Sequence, residues 1–309
     1  MESIEKRQPM ALGARVGKRR QFNMTPSLFL LPALLILFGV VLFPILNAFV
    51  LSFFRYQLNM PGLGIKFVGL ANYAYIFQDK EMLDSVTWTL EFAAVVVTVE
   101  LVVGMIFALV LNSQVLGKLR EPLRAVFLVP IMLSGVVSGL MWRLLFDPEF
   151  GPVNHLMSTI GVGMVHWGSE VATARLMVII TDIWLATPFC MLVLLAGMQG
   201  ISQDYIEAAA IDGASTFQTF TYITLPLLRF PIMVVLVTRS MDALRAFDMI
   251  YTLTGGGPGA STSTVMYYNY RYAFAYFQMG RATAMSIVFA LLIFAISFFM
   301  MRLLRRDVA

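Results

Sequence analysis

An all-α, polytopic membrane protein with six transmembrane helices and both termini in the cytoplasm is predicted by three observations. The first is composition: 59% of the 309 residues are hydrophobic and 13% charged, with a mean hydropathy of +0.79. Those values lie far from a soluble globular chain. The second is length, because a spanning helix needs about 20 mostly apolar residues. Such windows stand clearly at about 28–51, 87–111, 125–146, 176–198 and 284–304, and a sixth, less apolar, at about 230–254. The third is the one-sided placement of Lys and Arg, which cytoplasmic loops retain in excess.

The order of elements follows from these windows. Residues 1–27 read as a basic cytoplasmic tail carrying Lys6, Arg7, Arg15, Lys18, Arg19 and Arg20. The first window is about twice as long as a signal-peptide core, contains Pro32 and Pro44, and lacks a small-residue cleavage pattern, so it reads as a retained helix. The loop after the second window carries Lys118, Arg120 and Arg124. The C-terminal end, residues 305–309, follows Arg302 and begins Arg305-Arg306. These segments alternate along the chain and so share the inner side. The outer loops are expected at about 52–86, 147–175 and 255–283 and are rich in Trp and Tyr, as interfacial segments are. The formal charge of +4 is the residue of this sidedness. No basic patch with interleaved aromatics points to nucleic acid. The window 230–254 contains Arg239, Asp242, Arg245 and Asp248, so it must pack among other helices rather than face lipid all round. No linker divides residues 28–304, which read as one membrane domain.

Catalytic chemistry is not encoded. His155 and His166 are eleven residues apart with no Cys partner, so no metal site is expected. Cys190 stands alone in an apolar window, where a thiol packs as a small hydrophobe. There is no G-x-x-x-x-G-K-[ST] phosphate loop. No catalytic residue is expected, and any energy from ATP must come through a partner.

The most informative segment is Glu207-Ala-Ala-Ala-Ile-Asp-Gly213-Ala214, with Ile223-Thr-Leu-Pro226 after it, a polar helix-forming stretch between very apolar ones. Ala208, Ala209 and Ala210 favour helix and Gly213 can end it. Pro226 is expected in the first turn of a new helix. Glu207 and Asp212 beside small residues suit a partner with basic side chains. A plain interfacial helix is the alternative. The spacing of Glu207, Ala208, Ala209, Gly213, Ile223, Leu225 and Pro226 resembles the EAA loop of ABC-importer membrane subunits. Phe67-Val-Gly69-Leu-Ala-Asn72-Tyr73, Pro130, Trp142 and Asp248-Met-Ile-Tyr-Thr-Leu-Thr-Gly255-Gly-Gly-Pro258 are similar to the carbohydrate, maltose- and trehalose-type, permeases of that group, over about residues 28–304.

That resemblance implies the ABC type I importer fold, a place in the bacterial cytoplasmic membrane, and a coupling loop at about 203–226. It further implies a second permease subunit as heterodimer partner, this chain being the first membrane subunit of the pair. Two ATPase subunits holding ATP and Mg, and an external or periplasmic solute-binding protein, complete the expected assembly. No cofactor is expected on this chain. The substrate is expected to be a di- or oligosaccharide, ahead of a monosaccharide, polyol, anionic sugar or glycerol phosphate. The coupling set comprises Glu207, Ala208, Ala209, Asp212, Gly213, Ala214, Ile223, Leu225 and Pro226.

Polar groups at membrane depth are expensive unless they face a cavity or one another. Arg239, Asp242, Arg245 and Asp248 are therefore pathway candidates, with pairing among themselves as the alternative. Ser138 and Trp142, near Ser134 and Arg143, form a second strip, in which the indole could stack on a sugar or anchor the helix at the interface. Asp182, Trp184 and Thr187 are further candidates. Glu91 and Glu100 need partners that the sequence does not name. The buried charges could alternatively serve an ion-gradient-driven secondary transporter, although no inverted repeat accompanies them.

Overall fold

The computed structural model describes residues 24–60, 62 and 64–306. The basic residues Lys6 to Arg20 and the last three residues lie outside them. Residues up to Asn47 form one unit and the rest a second.

The first unit holds α1 (Met24–Leu37) and a π turn over Phe38–Leu42, after which α2 (Phe43–Leu51) runs on into the second unit. Pro44 has no N–H for the carbonyl four residues before it. The helix absorbs that loss as a π turn, with the Phe43 N–H reaching the Phe38 carbonyl.

The second unit begins with a short antiparallel ladder of β1 (Phe54–Arg55) and β2 (Lys66–Phe67), followed by α3 (Ala71–Ile76). The long α4 (Lys80–Asn112) is started by Asp79, whose carboxylate accepts from the Glu81 and Met82 amides. Arg120 caps its far end by donating to the Asn112 and Ser113 carbonyls. Then come α5 (Arg120–Leu128), α6 (Gly135–Leu145), α7 (Pro152–Thr159) and the long α8 (Val171–Gln199). Beyond a tight turn lie α9 (Gln203–Ile211), α10 (Thr216–Thr219), α11 (Leu225–Leu227) and α12 (Arg229–Leu244). The chain ends with α13 (Asp248–Leu253), α14 (Val265–Tyr270) and α15 (Met279–Arg306).

Contacts fix the directions. Glu91 of α4 pairs with Arg175 near the start of α8, whereas Gly104 of α4 meets Cys190, and Ala108 and Leu111 cluster with Met198 near the end of α8. These two helices are therefore parallel. Helix α12 runs against them, because its Pro231 packs on Gly197 at the end of α8. The chain then returns to the start of α4, where Thr89 accepts from the Val265 amide and Tyr268 bonds Asp79. Expected outer segments around 54–79, 167–175 and 255–281 thus gather at one end. The turn carrying Glu207 lies at the other.

Among the described residues four helices are long and apolar enough to span a membrane, Phe29–Leu51, Lys80–Asn112, Val171–Gln199 and Met279–Arg302, and two bent pairs bring the number to six if each is one span. The window 125–146 is not one helix but Val115–Met132 joined to Gly135–Leu145 at 103°. Pro130 tightens the end of the first piece into a 3₁₀ turn, and the Ser134 hydroxyl caps the second by accepting from the Val137 amide. The window 230–254 is likewise two helices. Helix α12 stops at Leu244 in an extra turn closed by the Arg245 amide on the Asp242 carbonyl, and Thr264 takes up the freed Ala246 carbonyl. Pro226 stands in the first turn of α11, as expected, but no break precedes that helix. The run begins at Thr216 and passes through a π turn, Phe220–Thr224, two residues before Pro226, the device already seen before Pro44.

Glycines at four-residue spacing set how closely α6 lies on α13. A Cβ on Gly135 would stand 3.2 Å from the Asp248 Cβ, and one on Gly139 only 2.0 Å from the Thr252 Oγ1 and 2.9 Å from the Met249 carbonyl oxygen. Small residues permit this approach in a membrane bundle. Gly139→Leu is expected to force the helices apart and to lower the melting temperature in detergent, whereas Gly39→Leu, whose added Cβ meets nothing within 4 Å, leaves it near wild type; size-exclusion thermostability assays read both.

Candidate functional site: a membrane-end elbow and a buried charge network

The coupling candidates build an elbow between α8 and α12. Helix α9 is opened by Ser202, whose hydroxyl accepts from the Asp204 amide. It closes in a Schellman motif: the Ala214 amide reaches the Ala209 carbonyl at 2.9 Å and the Gly213 amide reaches Ala210 at 3.1 Å. Gly213 sits at φ +77° with open space around it, so its requirement is backbone conformation rather than room. Ser215 then starts the next helix with a capping box, exchanging hydrogen bonds with Gln218. Between the two helix ends lies a groove of about 280 Å³ lined by Asp212, Gly213, Ala214, Gln218, Tyr222 and Ile223. Ala209 is buried under it, while Glu207 and Ala208 are exposed. Leu225 and Pro226 are exposed farther along, beyond the groove lining.

Sequence reasoning missed the apolar part of this surface. Tyr205, Ile211, Phe217 and Tyr222 are 58–85% exposed, although the surrounding loop is polar. These side chains stand beside the exposed carboxylates of Glu207 and Asp212. Bulky side chains in an otherwise polar helix-breaking segment were the available signal.

The second constellation is buried in the bundle. The Arg239 guanidinium on α12 binds Glu100 on α4 through two contacts, Nε to Oε2 at 2.7 Å and Nη2 to Oε1 at 3.1 Å. Its Nη2 also donates to Asp182 of α8 at 3.0 Å. Glu100 is fully buried, and Asp182 and Arg239 are each 8% exposed. Arg239 continues outward to Asp242 at 3.7 Å, and Asp242 pairs with Arg245 at 3.0 Å. The partner that Glu100 needed is thus Arg239, and that of Glu91 is Arg175. The three helices are cross-linked by the bidentate geometry that suits a guanidinium.

The remaining pathway candidates stand apart from this network. Asp248 is exposed in the first turn of α13, where its carbonyl accepts from Thr252. Ser138 is fully buried on α6. Trp142 meets Trp184 edge-on at 5.6 Å and Phe146 at 5.1 Å. It lines an apolar cavity of about 500 Å³ with Phe107, Phe127, Pro130, Ile183 and Trp184. Residues 182 and 184 are about 200° apart on a helix. Asp182 therefore faces Arg239 and Trp184 faces Trp142, on different sides of α8. No group of three or more His, Cys, Asp or Glu able to hold a metal occurs among the described residues.

Among the described residues this geometry brings no nucleophile together with a base, and it presents an exposed elbow continuous with spanning helices. Comparison with known proteins identifies the family. Residues 100–309 match the family described as binding-protein-dependent transport system inner membrane component. The chain belongs to this family.

The permease is 40% identical over 238 residues to the trehalose/maltose transport system permease protein MalF of Thermococcus litoralis, covering 77% of this chain and 79% of that one. It is 32% identical over 303 residues to the trehalose transport system permease protein SugA of Mycobacterium tuberculosis, covering 98% and 96%. In fold it is similar to a chain of a bacterial alginate ABC transporter crystallised with an alginate-bound periplasmic protein, with a TM-score of 0.80, 23% identity, and coverage of 92% and 94%. It is a multi-pass inner-membrane subunit of an ABC transport system, without catalytic chemistry of its own.

Removing one member of a buried ion network leaves an uncompensated charge, at about 3–5 kcal/mol. Arg239→Met is therefore expected to lower the thermal stability of the purified permease sharply. The triple variant Arg239→Met, Glu100→Gln, Asp182→Asn should recover most of it, as read by the same melting assay.

Proposed function

We propose that the permease forms half of a translocation pathway for a carbohydrate, beside a second permease subunit, and that one of the assembly's two ATPase subunits docks on its elbow. The observation that carries this reading is the groove at Asp212, Gly213, Ala214 and Ile223, flanked by exposed Glu207, Tyr205, Ile211 and Phe217. An exposed carboxylate with an apolar surround is what a basic, partly apolar groove on a partner recognises. The elbow joins α8 directly to α12, so a partner that moves it moves both helices.

Sidedness agrees with that role. Lys118, Arg120, Arg124 and Arg302 lie towards the elbow end, which the positive-inside bias assigns to the cytoplasm, where ATP is found. The opposite end then faces the binding protein. Residues 28–304 act as one membrane domain with the coupling loop at about 203–226, and residues 1–27 and 305–309 are its cytoplasmic ends. The permeases for trehalose and maltose among its relatives support a di- or oligosaccharide as the solute, with other sugars and polyols behind. ATP and the loaded binding protein would favour one of two arrangements of the helices, which is the form coupling takes.

Glu207→Lys is expected to reduce sugar-stimulated ATP hydrolysis by the complex purified through this subunit at least about tenfold, equivalent to about 1.4 kcal/mol of coupling. The measurement uses the complex with its binding protein and a panel of neutral and anionic sugars. Stimulation by one sugar names the solute, whereas normal stimulation in Glu207→Lys removes the elbow from the coupling path.

A further inference from the structure

At the end opposite the elbow, the β1–β2 ladder, α3 and the first turn of α15 enclose a cavity of about 260 Å³ whose lining includes Arg55, Tyr56, Gln57, Asn72, Gln278 and Arg281. Its walls are tightly built. Gly280 brings α15 so close to β1 that an added Cβ would stand 2.0 Å from the Phe54 carbonyl oxygen. Buried Asn72 ties the floor by donating to the Ser52 and Phe54 carbonyls at 2.7 and 2.9 Å. Gln57 and Gln278 are paired across the rim by a β-bridge.

The electrostatics of this cavity are one-sided. Arg55 stands directly opposite Lys66 in the ladder, an arrangement of like charges that is destabilising by itself. The Arg281 guanidinium lies 3.7 Å from the centre of the Tyr75 ring, which holds it in one orientation. Among the described residues, no carboxylate lies within ion-pair distance of Arg55, Lys66 or Arg281. The nearby acids are already engaged. Glu81 pairs with Arg271, and Asp79 accepts from Tyr268 at 2.5 Å and Tyr272 at 2.8 Å. Burial pushes the Asp79 carboxyl up, but hydrogen bonds from Tyr268, Tyr272 and Tyr75 outweigh it and hold the group below the ordinary carboxylate range. A preformed basic socket without its own counter-charge remains. Exposed Ile65, Phe67 and Leu70 belong to the same hairpin and the approach to α3.

We propose that this cavity is a docking socket for an acidic side chain of the solute-binding protein. The inference rests on the reading that such a protein approaches the end opposite the elbow. A carboxylate fits the volume and the two arginines that line it, Arg55 and Arg281, and apolar residues beside a charged socket are the composition of a protein interface. A solute in transit has no reason to stop there, since the cavity shares no lining residue with the Arg239 network.

The test uses the whole complex in nanodiscs of neutral lipid and measures the concentration of binding protein that half-saturates ATPase stimulation. Arg281→Gln is expected to raise it roughly tenfold, the usual size of one lost charge-assisted contact, and to weaken its dependence on salt. Arg281→Lys, which keeps the charge, should fall between the two and guards against a folding defect. An unchanged half-saturation in Arg281→Gln, with the wild type normally stimulated, overturns the socket alone. A wild-type complex insensitive to any binding protein overturns the underlying reading as well. A defect that follows the anionic lipid content of the disc instead of binding-protein concentration assigns the cavity to a phosphate headgroup and likewise overturns the proposal.

Discussion

A guanidinium held between two carboxylates inside a lipid-embedded bundle is the constraint around which this permease is arranged. Glu100, Asp182 and Arg239 come from three different helices, each near the middle of its run. In a medium where water cannot substitute for a lost partner, none of the three can leave while the others stay. The two contacts to Glu100 also fix rotation, because a bidentate pair tolerates little twist. Apolar packing alone would not do this, since lipid tails compete with apolar side chains on nearly equal terms. The network therefore sets the register of α4, α8 and α12, and the close approaches at Gly104–Cys190 and Gly197–Pro231 follow from it.

The elbow is wired to this network by covalent geometry. Helix α8, which carries Asp182, ends four residues before α9 begins, and α10 to α11 lead into α12, which carries Arg239. The junction at Leu228 is a 64° bend with a fully buried side chain, so α11 cannot swing independently of α12. The groove is thus covalently continuous with both sides of one buried ion pair.

Much of this was legible in the sequence because hydropathy and spacing are local signals. The six windows, the isolation of Cys190 and the Glu207 to Pro226 segment each depend on residues within about one helix length. The bends were not legible, although their prolines were, since a proline can be absorbed by a π turn, as before Pro44 and Pro226, or end a helix, as after Pro130. Which of these happens depends on what satisfies the freed carbonyls. The partners of Glu91 and Glu100 were hidden for a different reason. Ion pairs separated by 84 and 139 residues leave no periodic trace in a single chain. Trp142 illustrates a third limit: its position near a helix end suited a membrane anchor, but the 103° bend turns it inward against Trp184.

The same hydrogen-bond accounting constrains where a sugar could be held. Arg239 has five donors, and its Nε and Nη2 are directed at Glu100 and Asp182. The nitrogen that remains is Nη1, 3.7 Å from an Asp242 whose side chain is 46% exposed and which also binds Arg245. The buried half of the network is saturated, and its exposed half is where a hydroxyl-rich ligand could exchange contacts without uncovering Glu100. The exposed side of the network and its buried side are therefore chemically separable within one arginine, and substitutions at Asp242 or Arg245 alter the first without dismantling the second.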